Sequence, residues 1–324
     1  MDLRLYKPYL IKFQSLIALF ILCLLISMVS DKFLTLSNGW NVMRQISVNI
    51  CISVGMTLVV LTAGIDLSVG SVLALCGALT AGLLKNGIAI PEANLFVGFT
   101  ILGAMLAGIL TGTALGTFNG WAITKFKVPA FIATLAMLTI ARGLTLLYTK
   151  GFPISGLGDD FSYLGTGWFL GIPVPVWISA IVVLAAVVLT TKTRLGRYIY
   201  AIGGNENASR LSGINISKVK IIVYAIAGAL AAVGGLIVTS RLDSAQPNAG
   251  NSYELDSIAA VVIGGTSLSG GKGSIMGTVL GAVIIGVLNN GLVLLNVSPF
   301  WQQVVKGAVI LLAVIVDKVN SKAE

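Results

Sequence analysis

Pro175-Val176-Trp177-Ile178-Ser179-Ala180-Ile181-Val182-Val183-Leu184-Ala185-Ala186-Val187-Val188-Leu189-Thr190-Thr191 carries no charge, and Lys192-Thr193-Arg194-Leu195-Gly196-Arg197 follows it at once. A helix of roughly 20 apolar residues crosses the hydrocarbon core of a bilayer. Basic residues collect just beyond such a span, on its cytoplasmic side. Similar apolar runs occupy 14–30, 46–65, 67–84, 95–118, 129–149, 220–239, 257–267, 275–296 and 300–316. The run 257–267 is too short to cross alone and is expected as a half-helix. The reading is an all-α integral membrane protein of about ten transmembrane helices, some broken, in a single transmembrane domain over 1–324.

Composition agrees. Of the 324 residues, 56% are hydrophobic and 10% charged, against roughly 25% charged in a soluble domain. Lipid therefore has to solvate much of the chain. The 38 glycines suit the close backbone approach of membrane helices. The net charge of +9 reads as loop charge, not as a nucleic-acid surface. Histidine is absent, which removes the commonest general base and metal ligand. Cys23, Cys51 and Cys76 all lie in apolar runs, so no disulfide framework is expected. Neither a metal nor a cofactor is expected.

The loops set the orientation. Residues 192–220 hold Lys192, Arg194, Arg197, Arg210, Lys218 and Lys220 against Glu206 alone, and 119–128 hold Lys125 and Lys127. Loop 150–174 holds Asp159 and Asp160, and loop 240–256 holds Asp243, Glu254 and Asp256. The first two are expected in the cytoplasm and the last two outside, which puts both termini in the cytoplasm. Arg4, Lys7 and Lys12 precede the first apolar run, but no small-residue cleavage site follows Ser30. That run is read as a retained first helix.

A weak duplication joins two stretches. Residues 61–70 match 262–271; Gly112, Gly116, Asn119-Gly120 and 128–131 match Gly281, Gly286, Asn290-Gly291 and 297–300. The second pair of blocks is closer together by about one helix, so the first half is expected to hold an extra helix near 71–93. Two related halves enclosing a pathway is a common transporter plan. Leu268-Ser269-Gly270-Gly271-Lys272 imitates a nucleotide-binding signature, but the G-x-x-x-x-G-K-[ST] spacing is missing. A glycine-rich break between a half-helix and a full helix is expected there.

Polar residues inside the spans are candidates for function. Asp66 and Ser68 sit at a helix junction, where they either cap the helix starting near Leu67 or line a substrate path. Arg142 and Lys306 fall within spans and need partners. Asp66 is read as the only acid within a span, which motivates an Asp66–Arg142 pair. Asn119, Asn290, Thr134 and Tyr224 either line a path or bond a neighbouring helix.

In the basic loop, Asn205 is a good N-cap, Glu206 suits a first turn and Gly213 a stop. Ala208, Leu211 and Ile214 form a small apolar face on the short helix between them. The run Glu206, Asn207, Ala208, Ser209, Arg210, Leu211, Ser212 and Gly213 is read as a docking element.

At these residues the chain resembles the permease subunits of bacterial ATP-binding-cassette (ABC) importers for pentoses and related sugars. The likeness runs over nearly the whole chain and is strongest at 54–70, 196–213 and 244–273. Glu206, Ala208 and Gly213 resemble the Glu-Ala-Ala…Gly loop that couples such permeases to their ATPase, with Ser209 in place of the second alanine. The resemblance implies a non-catalytic inner-membrane subunit with 192–220 as its ATPase-coupling loop. It implies separate ABC ATPase subunits, a periplasmic sugar-binding protein and a second permease copy, with a homodimer favoured. It implies a monosaccharide cargo, D-ribose first, with xylose, a galactoside or a signalling sugar as alternatives. A ten-helix secondary carrier is the competing class, but such carriers place ionisable residues at the midplane. An intramembrane enzyme finds no Ser–His pair here.

Overall fold

The computed structural model describes the backbone of residues 3–90 and 95–322, and the side chains of 15–88, 96–312, 314 and 315. The side chains of Arg4, Lys7 and Lys12 lie outside the described residues. The chain is a bundle of helices: α1 (Leu3–Val29), α2 (Leu36–Leu61), α3 (Val69–Asn86), α4 (Ile101–Phe126), α5 (Ala130–Thr149), α6 (Asp159–Thr166), α7 (Val174–Lys192), α8 (Arg194–Gly204), α9 (Glu206–Leu211), α10 (Ile216–Arg241), α11 (Tyr253–Ile263), α12 (Ile275–Leu294) and α13 (Pro299–Lys322). Among the described residues α2, α3, α4, α5, α7, α10 and α12 are each long and apolar enough to cross a membrane. Strand pieces are two or three residues long: β1 (Ile88–Ile90) with β2 (Leu95–Val97), β3 (Ile154–Ser155) with β6 (Ser244–Ala245), and β4 (Trp168–Phe169) with β5 (Ile172–Pro173), each pair antiparallel.

Side-chain caps fix where the helices start. Thr35 accepts from Asn38 N, Thr100 from Gly103 N, Asn215 from Lys218 N and Ser274 from Gly277 N. The caps explain two departures from the hydropathy reading. Helix α4 begins at Ile101, not 95, because Thr100 caps it and 95–97 pair as a strand. Helix α2 begins ten residues earlier than the apolar run, so Asn38, Asn41 and Arg44 lie within it.

Helix α10 is the hub, packed on α4, α2 and α3. Its contact with α4 is backbone on backbone. A Cβ on Gly112 or Gly116 would overlap the carbonyl oxygen of Gly228 or Tyr224, and one on Gly120 would come 2.7 Å from the Ile221 Cα. This is the small-residue packing that membrane helices use in place of a hydrophobic drive. The opposite face of α4 leaves Leu102, Leu106, Leu110 and Phe118 exposed.

The C-terminus of α4 and the N-termini of α10 and α12 all lie at the end of the bundle that carries α9. Helices α4 and α12 therefore run in opposite senses, and so do α5 and α13, which follow them. This corrects the reading of the duplication. The block around Gly112–Gly120 matches a helix of opposite direction, whereas 61–70 and 262–271 sit at the same end and touch, with Gly271 N donating to Leu61 O at 3.1 Å. The two matches do not belong to one duplication. The helix expected near 71–93 is α3, Val69–Asn86.

Candidate functional site

The α9 end is built on an amphipathic helix. Thr193 caps α8 by accepting from Gly196 N at 3.1 Å. Helix α8 buries Ile199 and Ile202 against a cluster that includes Leu58, Leu61, Ile216 and Val219. Its C-terminus lies on two other segments. A Cβ on Gly203 would overlap the Leu61 carbonyl that ends α2, and Gly271 packs on Gly204. Tyr200 adds a hydrogen bond from its hydroxyl to Gly273 O at 2.9 Å. Gly270, Gly271 and Gly273 have φ of 85°, 72° and 150°, so the nucleotide-like sequence is a glycine turn between α11 and α12.

Asn205 then caps α9, accepting from Ala208 N at 2.9 Å. Glu206 pairs with Arg210 at 3.2 Å and with Lys220 at 2.7 Å. Its carboxyl sits below the ordinary range, first through the hydrogen bond from Lys220 and then through the charges of Lys220 and Arg210, against the opposing effect of burial. Ser209 is buried and its carbonyl accepts from Ile214 N at 3.1 Å. Asn207, Ser212 and Gly213 are exposed, and Gly213, at φ 82°, ends the turn. The expected apolar face is split: Ile214 turns partly inward, whereas Ala208 is exposed and Leu211 is 90% exposed. Leu211 is thus a bare apolar side chain on a segment held on both sides.

A second polar centre lies between α2 and α3. Asp66 is 1% exposed, and its Oδ1 accepts from Ser68 N at 2.9 Å and Ser68 Oγ at 2.6 Å. Asn119 of α4 donates to Ser68 Oγ at 3.1 Å. Thr134 of α5 and Tyr224 of α10 donate to Ile65 O at 3.3 and 3.4 Å. Five residues singled out from sequence thus converge on one turn. The capping differs from expectation: Asp66 takes only the Ser68 amide, and the Ser68 side chain caps none of α3.

Arg142 is not in this centre, and the Asp66–Arg142 pair does not form. Arg142 Nη1 donates to Pro247 O at 2.6 Å and Ala249 O at 2.9 Å. These carbonyls belong to a run of turns between β6 and α11 that packs into the bundle, where a Cβ on Gly70 would overlap the Gly250 carbonyl. Irregular backbone at this depth needs donors from neighbouring helices, and Arg142 supplies them. Helix α11 follows this run.

Asp66 is also not the only acid within the bundle. Asp256, 3% exposed on α11, pairs with Lys306 of α13 at 2.9 Å and accepts from Asn289 of α12 at 3.5 Å. The apolar run begins at 257 and so leaves Asp256 in an outer loop by a single residue. The lone cation Lys306 is the signal in the sequence that a carboxylate is missing from that reading. Asn290 is elsewhere again, exchanging hydrogen bonds of 2.9 and 3.0 Å with Asn38 of α2.

Residues 39–314 match the family model described as branched-chain amino acid transport system / permease component. The chain is 53% identical to the ribose import permease protein RbsC of Escherichia coli (strain K12), over 96% of this chain and 95% of that protein. It is 51% identical to the protein of the same name from Bacillus subtilis (strain 168), over 96% and 94%. It is 42% identical to the D-allose transport system permease protein AlsC of Escherichia coli (strain K12), over 91% and 88%. No solved structure matches the chain.

Proposed function

The chain belongs to the family of branched-chain amino acid transport system permease components, and from that premise we propose that it is the membrane permease subunit of an ABC importer that carries D-ribose across the inner membrane. The identity of 53% over nearly the full length of a ribose import permease carries the reading. The bundle supports it chemically. A neutral sugar needs hydrogen-bonding groups and no charge relay, and the buried carboxylates Asp66 and Asp256 are both already satisfied.

The finer reading is ten crossings, counting α1, α11 with the turns that lead into it, and α13, with the α9 end and both termini in the cytoplasm. The segment from Glu206 to Gly213, made of α9 and its stop, docks on a separate ABC ATPase through exposed Ala208 and Leu211. A periplasmic sugar-binding protein delivers cargo at the α6 end, and two copies of the chain form the path. ATP hydrolysis belongs to the partner, and this subunit performs no chemistry. Motion of the ATPases pushes α9 and α8. The glycine contacts of α8 carry the push to the end of α2 and to the turn between α11 and α12. Rigid-body rocking of these helices alternates access. Asp66, Ser68, Asn119, Arg142 and Asn290 act in this picture as holders of helix junctions beside the path.

The test is reconstitution of the tagged chain with the ATPase and the sugar-binding protein of its own transport system in proteoliposomes. ATP-dependent ribose uptake is expected, together with loss of ATPase co-purification in a Glu206→Lys, Gly213→Pro variant. Ribose movement by the chain alone without ATP would make it a carrier or channel instead.

A further inference from the structure

At the α9 end a cavity of about 760 Å³ opens between α9, the last turn of α4 and the first turn of α10. Three cations line it, Lys127, Arg210 and Lys220, against one carboxylate, Glu206. Glu206 already serves both Arg210 and Lys220. Lys127 is held in a left-handed C-cap at φ 54° and has no ion pair among the described residues. The cavity wall therefore carries two positive charges in excess. Ser217 of α10 and Thr124 of α4 add hydroxyls. Asn215 caps only the Lys218 amide, so the amides of Ile216 and Ser217 at the positive end of a 26-residue helix remain to be satisfied. A carboxylate ligand would meet this set only in part. A phosphate matches cations and amides together, with two free oxygens and one charge in a diester, or three and nearly two charges in a monoester.

We propose that this cavity binds a phosphate-bearing anion, held by Lys127, Lys220, Arg210 and the first turn of α10. Two sources offer that chemistry. One is a soluble phosphomonoester. The other is the headgroup of an anionic phospholipid, because the exposed rings of Trp121 and Phe126, 5.1 Å apart on the same end of α4, mark the level of the membrane surface. The occupant competes with Glu206 for Lys220 and Arg210, and so changes how α9 is held. That consequence rests on the docking role proposed for α9; the binding does not.

The experiment uses the full chain in nanodiscs of phosphatidylcholine. One arm titrates inorganic phosphate and ribose 5-phosphate by calorimetry, with ribose as the uncharged control. The other replaces part of the lipid by phosphatidylglycerol and counts retained lipid by native mass spectrometry. Saturable binding in either arm, weakened about tenfold by Lys127→Gln, is expected, since a hydrogen bond to a charged group contributes about 1.5–3 kcal/mol. Lys127 is exposed and outside any core contact, so the variant keeps the fold, checked by its elution profile. Binding in neither arm, or binding indifferent to both Lys127→Gln and Lys127→Gln/Lys220→Gln, overturns the proposal. Ribose uptake measured on the same wild-type preparation tests the permease reading by itself, so failure of the anion site and failure of that reading are distinguishable.

Discussion

Asp66 and Asp256 are both buried carboxylates near helix starts, yet they are held in different ways. Asp66 is satisfied by neutral donors two residues away, backed by Asn119. Asp256 is satisfied by a cation 50 residues away on another helix. The first arrangement is local: the turn that makes the carboxylate necessary also supplies its donors. The second ties α11 to α13, and neither charge can be buried without the other. Taking an ion out of water costs several kcal/mol, and an ion pair recovers this only when both partners are present. The Asp256–Lys306 pair therefore ties α11 to α13, in addition to the close backbone packing of α11 on α12, whereas the Asp66 turn holds itself.

The largest expected effect follows from removing half of the pair. Lys306→Met leaves Asp256 unpaired beside Asn289, whose Oδ1 already lacks a partner among the described residues. A loss of about 3–5 kcal/mol is expected, read as a lower unfolding midpoint in detergent. Asp256→Asn is expected to lose a similar amount. The double variant Asp256→Asn/Lys306→Met is expected to recover more than half of either loss. If the losses of the single variants simply add in the double variant, the pair is not what pins α11.

A smaller effect is expected at Asp66. Asparagine keeps an oxygen where Oδ1 accepts from Ser68, so Asp66→Asn should cost about 1 kcal/mol. Arg142→Gln removes two bonds from a charged donor to Pro247 and Ala249, and about 2–3 kcal/mol is expected. Because the two sites share no partner, Asp66→Asn/Arg142→Gln should be additive within about 0.5 kcal/mol. The same Arg142 variant should speed labelling of a cysteine placed at exposed Asn248, since the turns before α11 lose their anchor. Strong coupling between the two substitutions would show that the centres communicate and would blur the contrast.

Part of this is legible in the residues. The apolar runs locate every long helix, because hydrophobic content over about 20 residues is a strong signal that packing cannot reverse. The cap at Asn205 and the stop at Gly213 are legible for the same local reason. The partners of charges are not. Scarcity alone points Asp66 to Arg142, but scarcity carries no geometry, and Arg142 satisfies backbone instead. Asp256 escapes notice because one residue at the edge of an apolar run decides whether an acid counts as loop or bundle. The direction of α4 relative to α12 is illegible too, since glycine and asparagine spacing reads the same in either sense.

Glu206 extends the contrast to a third setting, a carboxylate paired with two cations but 41% exposed. Water competes for it, so its pairing should matter least of the three, a few tenths of a kcal/mol up to about 1. The sign is fixed by the direction of its shift. The folded carboxyl lies below its ordinary value of 4.5, chiefly through Lys220. The stabilisation is therefore present above that value and is lost as pH falls through the lower, folded one. Unfolding midpoints of wild type and Glu206→Gln should differ slightly at pH 7 and converge as pH falls through the lowered value of the folded carboxyl, where the wild-type group takes up its proton. Salt should shrink the difference at pH 7, while leaving the Asp256–Lys306 effect nearly unchanged, because screening reaches an exposed pair and not a buried one. Equal salt sensitivity at the two pairs would mean that burial does not separate them.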